Sequence, residues 1–202
     1  MSDPSVFNVV GERPTQSDTA LLIIDMINAM DFEGGEALCE QTRGIIEPLV
    51  KLKRRARSAN VPVIYVNDNF GRWQSNFQQT LSEVCERECL GRQYAEALRP
   101  DEEDYFVLKP KHSGFLYTPL PLLLQGLSVD RLIMTGVAGN ICVQFTANDA
   151  LMHGYDVRVP RDTVASETRD ANDAMLRQLT SVFGVDTRPS NEIRFETRSD
   201  AA

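Results

Sequence analysis

Ala20-Leu-Leu-Ile-Ile-Asp25 sets five consecutive apolar residues ahead of a carboxylate. A strand that is apolar at every position leaves no face for water, so it reads as a parallel strand covered by helices on both sides. Four more short runs follow, several of them also apolar at consecutive positions: Val61-Pro-Val-Ile-Tyr-Val66, Tyr105-Phe-Val-Leu108, Arg131-Leu-Ile-Met-Thr135 and Tyr155-Asp-Val-Arg-Val159. A weaker sixth lies at Gly184-Val-Asp-Thr187. The stretches between them carry helical spacing. Met175, Leu176, Leu179, Val182 and Phe183 form one apolar stripe, and Ile45, Leu49, Leu52 and Ala56 another, with Pro48 marking a kink or a helix start. Residues 141–153 read as a helix running from an Asn140 cap to Gly154. Strand and helix alternate throughout. That pattern predicts an α/β fold: a doubly wound, Rossmann-like parallel six-stranded sheet with helices on both faces and right-handed crossovers.

With 202 residues, 42% of them hydrophobic, the chain suits one domain with a substantial core. We place an irregular N-terminal arm at 1–18, the domain at 19–187 and a C-terminal tail at 188–202. The formal charge of −8 repels phosphate backbones and anionic lipid, which argues against nucleic acid and membrane partners. The one basic cluster, Lys51, Lys53, Arg54, Arg55 and Arg57, falls near the end of a helix and reads as a solvated face complementing the macrodipole. No apolar segment approaches the roughly 20 residues that span a bilayer. The first residues lack the basic start and apolar stretch of a secretory signal, so a cytoplasmic location is expected. In that setting Cys39, Cys85, Cys89 and Cys142 are expected as thiols. A helix around 76–90 would place Cys85 and Cys89 on one face. A metal there would need two more ligands, and His112 and His153 have no ligand spacing, so structural thiols are expected.

Open parallel sheets bind ligands beyond the carboxyl ends of their strands. The residues that end strands here are Asp25, Lys109 and the run Gly136-Val-Ala-Gly-Asn-Ile-Cys142. Cys142 is either a small buried thiol under a helix or a nucleophile. At a helix start, backbone N–H groups and the positive dipole end favour a thiolate and could hold an oxyanion. Asp25 is either a turn residue or a general base. Lys109 is either a solvated strand end or a cation that keeps the carboxylate ionised. Taken singly, none of the three decides between its two roles.

Their order and setting resemble the isochorismatase-like cysteine hydrolase family. The resemblance spans about 19 to 187. Its markers are Leu-Leu-Ile-Ile-Asp25, Lys109-Pro-Lys-His-Ser-Gly-Phe115 with Thr118 and Leu120, Thr135-Gly-Val-Ala-Gly-Asn-Ile-Cys142-Val, Thr146-Ala-Asn-Asp-Ala150 and Gly154-Tyr-Asp-Val157. The resemblance implies a catalytic triad of Asp25, Lys109 and Cys142, with Lys111 facing solvent. It implies a cis peptide at Val137–Ala138 and an oxyanion hole built from the Ala138 and Cys142 N–H groups. It further implies cleavage of a C–N bond in a small amide, carbamoyl or ureide substrate through a thioester, with no cofactor, in a homo-oligomer (dimer or tetramer). Isochorismate hydrolases of the family cleave a vinyl ether without needing the cysteine; retention of Cys142 points to the amidohydrolase branch.

One departure bears on substrate. Nicotinamidases of the family carry a metal-binding Asp-x-His after strand two. Here the run is Asn67-Asp-Asn-Phe-Gly-Arg-Trp73, with Asp68 at the acid position and Phe70 where the histidine would be. No metal is expected. Trp73 either lines the pocket or packs at a subunit interface. Candidate substrate contacts are Asn28, Phe32, Asn69, Trp73, Phe115, Tyr117 and Asn140. Two other enzyme classes fit poorly. A haloacid-dehalogenase-like phosphatase needs an acid two residues after Asp25, where Ile27 stands, and a dinucleotide domain needs a Gly-rich turn in place of Met26-Ile-Asn-Ala29. A non-catalytic small-molecule-binding module would bind in the same pocket without turnover.

Overall fold

The computed structural model describes residues 17–74 and 76–195. The 1–16 part of the expected N-terminal arm and residues 196–202 of the expected tail lie outside them. The elements run β1 (Thr19–Ile24), α1 (Gly35–Thr42), α2 (Ile46–Ser58), β2 (Val63–Asp68), α3 (Phe77–Glu86), α4 (Arg92–Ala97), β3 (Tyr105–Lys109), α5 (Leu120–Gly126), β4 (Arg131–Gly136), α6 (Gln144–Met152), β5 (Asp156–Arg158) and α7 (Arg169–Phe183). A π-helical turn, Gly139–Val143, leads directly into α6.

Five parallel strands pair in the order β3-β2-β1-β4-β5. The chain winds one way from β1 to β3, then returns to the far side of β1 for β4 and β5. The strand order therefore reverses between β1 and β4, where a doubly wound sheet opens a crevice at its carboxyl edge. The expected sixth strand is not a strand: Asp186 makes a single parallel bridge to Arg158 and pairing goes no further. Polar Asp186, Thr187 and Arg188 follow Val185 there, so the segment has no second apolar residue to hold it on the sheet edge.

Every residue of β1 is buried, and its side chains feed two cores in alternation. Leu21 and Ile23 meet Leu49, Leu52 and Ala56 of α2 and Leu81 of α3. Ala20, Leu22 and Ile24 meet Leu124 of α5, Ala147 and Ala150 of α6 and Leu179 of α7. Helices thus cover both faces, which is why a continuous apolar run was tolerated. Each fully buried Leu or Ile side chain is worth about 2 kcal/mol of transfer free energy.

Three local expectations change. The basic cluster of α2 is a solvated face only at Lys51 and Arg54, which are exposed. Lys53 is buried, its Nζ donating to the Arg99 carbonyl at 2.7 Å and lying 3.3 Å from Asp104. Arg57 pairs with Asp101 and Asp104, and Arg55 donates to the Ser190 and Ile193 carbonyls. Lys53, Arg55 and Arg57 pin α2 to the segments beside it, because buried acids and carbonyls reward cations that reach them. The helix expected over 76–90 ends at Glu86, so Cys89 leaves the helical face of Cys85; its thiol meets the Val84 carbonyl at 3.5 Å. Asn140 is not the cap of the 141–153 helix. Ala138 holds that place, and the Asn140 N–H donates to Ser166 Oγ at 3.0 Å. Gly154, at φ +87°, follows the end of α6 as expected.

Candidate active site

The carboxyl edge of the sheet brings Asp25, Asp68, Lys109 and Cys142 together. Asp25 immediately follows β1 with φ +52°, a left-handed conformation uncommon outside glycine. Such a backbone is held only where its surroundings fix it. Here its Oδ1 accepts the Asp68 N–H at 2.6 Å and its Oδ2 meets Lys109 Nζ at 2.9 Å. Lys109 and Asp68 are partners in the β2–β3 register, so the lysine on the edge strand reaches over the tip of β2 toward β1.

The Lys109 side chain is 0% exposed. An ammonium has three donors and no acceptor. All three are used: Asp25 Oδ2 at 2.9 Å, Asp68 Oδ2 at 3.2 Å and Cys142 Sγ at 3.4 Å. A fully buried cation survives only when paired in this way. Burial by itself would lower the pKa of Lys109, yet the negative charge around it wins and holds its proton more firmly than usual. Burial raises Asp25 above the ordinary carboxylate value; Lys109 and a hydrogen bond from Cys142 pull the other way.

Cys142 lies within the π-helical turn that follows β4. The Val137–Ala138 peptide before it is cis. The helix start was expected to favour a thiolate. Instead burial, reinforced by the charge of Asp25, pushes the thiol up to about 12, against the opposing pull of Lys109. At neutral pH the sulfur keeps its proton and shares it with Asp25. The dipole end loses first to the burial of the sulfur and then to the charge of the Asp25 carboxylate.

The substrate-contact candidates scatter. Asn28 and Asn69 are buried near the tips of β1 and β2, but their Oδ1 atoms serve the backbone N–H groups of Met30 and Gly71. Asn69 also shares a cavity of about 100 Å³ with Phe70, Arg72, Thr80 and Arg87, between the β2 tip and α3. The Asn140 Oδ1 is buried and has no partner among the described residues, two positions from Cys142. Phe32 is exposed, Trp73 is 77% exposed and Tyr117 88% exposed. Phe115 sits in the α5–α7 core with its ring 5.1 Å from His153 and 5.7 Å from Tyr155. Lys111 is exposed.

Two residues of the site escaped the sequence reading. By sequence Asp68 stands at a metal-ligand position, whereas in the fold it serves Lys109. His112 has no ligand spacing in the sequence, yet its Nδ1 lies 3.9 Å from Cys142 Sγ. The signal available for His112 was its place inside the run that begins at Lys109. Among the described residues no three His, Cys, Asp or Glu side chains are grouped to hold a metal ion, and no helix is long and apolar enough to cross a membrane.

Residues 19–188 match the family model described as the isochorismatase domain. The chain belongs to the isochorismatase family. It is 40% identical to the uncharacterized isochorismatase family protein YaaI of Bacillus subtilis over 89% of this chain and 98% of that one. It is 28% identical to the ureidoacrylate amidohydrolase RutB of Yersinia enterocolitica, over 83% of this chain and 84% of that protein. Among solved structures, an isochorismatase-like hydrolase from Alkaliphilus metalliredigens superposes with a TM-score of 0.70 at 29% identity, covering 88% of this chain and 94% of the other. The family membership agrees with the parallel sheet, and the hydrolase names of the Yersinia and Alkaliphilus proteins agree with its polar carboxyl edge.

Proposed function

We propose that the chain is a cysteine-nucleophile hydrolase that cleaves a C–N bond of a small amide, carbamoyl or ureide substrate. The observation that carries the proposal is the shared ammonium, with Lys109 Nζ 2.9 Å from Asp25 and 3.4 Å from Cys142 Sγ. A thiol resting as S–H beside a buried carboxylate has its base already in place. As Sγ attacks the substrate carbonyl, Asp25 takes the proton and Lys109 holds the charge that moves onto the carboxyl–thiolate pair. The Ala138 and Cys142 amides are proposed to receive the oxyanion; the Ala138 N–H has no partner among the described residues. Amine or ammonia departs to leave a thioester, which water hydrolyses. The amidohydrolase name of a relative supports the substrate class.

The test is a panel of amides, ureides and N-carbamoyl compounds with ammonia release as the readout, on wild type, Cys142→Ala and Asp25→Ala. Both variants should lose turnover by at least about 10³-fold, as when one member of a nucleophile–base unit is removed. Intact mass spectrometry should find the acyl group on Cys142 in wild type. If Cys142→Ala keeps its activity while Asp25→Ala loses it, the nucleophile assignment is wrong and vinyl-ether chemistry takes its place.

A further inference from the structure

We infer that His112 is a further catalytic residue: the acid that protonates the departing nitrogen and then the base that draws a proton from the incoming water. The inference rests on the hydrolase reading above and adds a second proton carrier to it.

Three polar side chains surround Cys142 Sγ: Asp25, Lys109 and His112. Asp25 and Lys109 are buried, whereas His112 is exposed. His112 is thus the one of the three that reaches solvent as well as the sulfur. Both oxygens of Asp25 are engaged, one by the Asp68 N–H and the other by Lys109, which fixes that carboxylate toward the sulfur. The leaving nitrogen is bonded to the carbon that the sulfur attacks, so it stands beside the groups that surround the sulfur. Of these groups His112 is the one open to solvent water as well, and imidazole is the side chain that trades protons most readily near neutrality.

The placement of His112 is built, not incidental. Ser113 Oγ donates to Asp149 at 2.5 Å, and the Gly114 N–H donates to Thr146 Oγ1 at 3.0 Å. Thr146 Oγ1 in turn donates to the Cys142 carbonyl at 2.6 Å. The loop that carries His112 is thereby tied to the helix that follows the nucleophile. Phe145, one turn beyond Cys142, sets its ring 5.8 Å from the imidazole and backs it. Lys111 is the charged neighbour on the same loop, and it is exposed.

The protons balance. In acylation the S–H proton passes to Asp25 as the S–C bond forms, and the tetrahedral intermediate breaks its C–N bond while imidazolium gives a proton to nitrogen. In deacylation neutral His112 takes a proton from water as the O–C bond forms, and protonated Asp25 returns its proton to sulfur as the S–C bond breaks. The sum is substrate plus water giving acid plus amine.

The test uses the full chain with two probes: N-carbamoylglycine, whose nitrogen must be protonated to leave, and p-nitrophenyl acetate, whose phenolate leaves unprotonated. His112→Gln should lower ammonia release by about 100-fold or more, while the pre-steady-state burst of nitrophenolate, which reports acylation of Cys142, stays within threefold of wild type. Added imidazole should restore ammonia release to His112→Ala. Ammonia release within threefold of wild type in His112→Gln, an equal loss of the burst, or no rescue by imidazole overturns the inference and leaves Cys142 as nucleophile. A wild-type chain with neither ammonia release nor burst overturns both readings.

Discussion

Asp68 Oδ2 lies 3.2 Å from Lys109 Nζ, so the cation that Asp25 holds at 2.9 Å is shared by a second carboxylate. The two acids act on each other through it. The charge of Asp68 raises the pKa of Asp25, in the same direction as burial and against Lys109. Asp68→Asn removes that like charge, so Asp25 stays ionised to lower pH. The acid limb of the kcat/KM profile should move to lower pH in the variant. A limb that stays put or moves up would sever Asp25 from the pH dependence.

Lys109→Met should cost about 3 kcal/mol at pH 8, since it leaves two carboxylates facing each other without their cation. The loss depends on pH. Without Lys109 the Asp25 carboxyl is held still higher above 3.8, and a carboxyl raised in the folded state gives stability at low pH that fades as pH rises through its raised value. The deficit should therefore be smaller at pH 5 than at pH 8. Urea unfolding at the two pH values measures it.

Asp25→Asn should change thiol reactivity and turnover in opposite directions. The thiol is pushed up first by burial and then by the charge of Asp25, with Lys109 opposing. Removing the carboxylate leaves Lys109 to stabilise the thiolate, so iodoacetamide should label Cys142 faster at pH 8 while hydrolysis is lost. The labelling rate followed by mass spectrometry decides it; slower labelling contradicts the assigned charges.

Gly136 carries β4 into the cysteine turn at φ +106°, and a Cβ there would meet the Ile24 carbonyl oxygen at 2.0 Å. That oxygen belongs to the residue just before Asp25. Gly136→Ala should destabilise the fold by about 3 kcal/mol or more, through strain and a clash with backbone that cannot swing away. Thermal unfolding checks it, with a shift of several degrees expected for a chain of this size.

Thr146→Val keeps the shape of a fully buried residue but removes the hydroxyl that joins the Gly114 N–H to the Cys142 carbonyl. Two buried partners lose their bond, at a cost of about 1–3 kcal/mol. The loop should also loosen against the nucleophile turn, lowering kcat more than it alters KM.

Some of this was legible because it depends on neighbours in the chain. Five runs marked five strands, the central one apolar from Ala20 to Ile24 because both its faces are buried, the edge run at Asp156–Arg158 alternating with charge. The Met175–Leu179 stripe marked α7, whose two residues are both buried. The misreadings have one cause. Lys53 and Arg57 look solvated on a helix wheel, and only the approach of Asp101 and Asp104 from another segment buries them as ion pairs. Asn140 looks like a cap, and only Ser166 gives its N–H another use. Gly184–Thr187 looks like a strand, and only its lack of an apolar anchor at the sheet edge reduces it to one bridge.

By itself the sequence determined which residues end the strands and that a carboxylate, an ammonium and a thiol stand among them, because side-chain chemistry and strand periodicity are local properties. The tertiary structure decided how they act. Strand order β3-β2-β1-β4 sets Lys109 over the tip of β2, gives its three donors to Asp25, Asp68 and Cys142, and leaves His112 on the open side of the sulfur. The physical reason is range: hydrogen bonds and buried charges act over a few ångströms, and those separations exist only after segments tens of residues apart have packed.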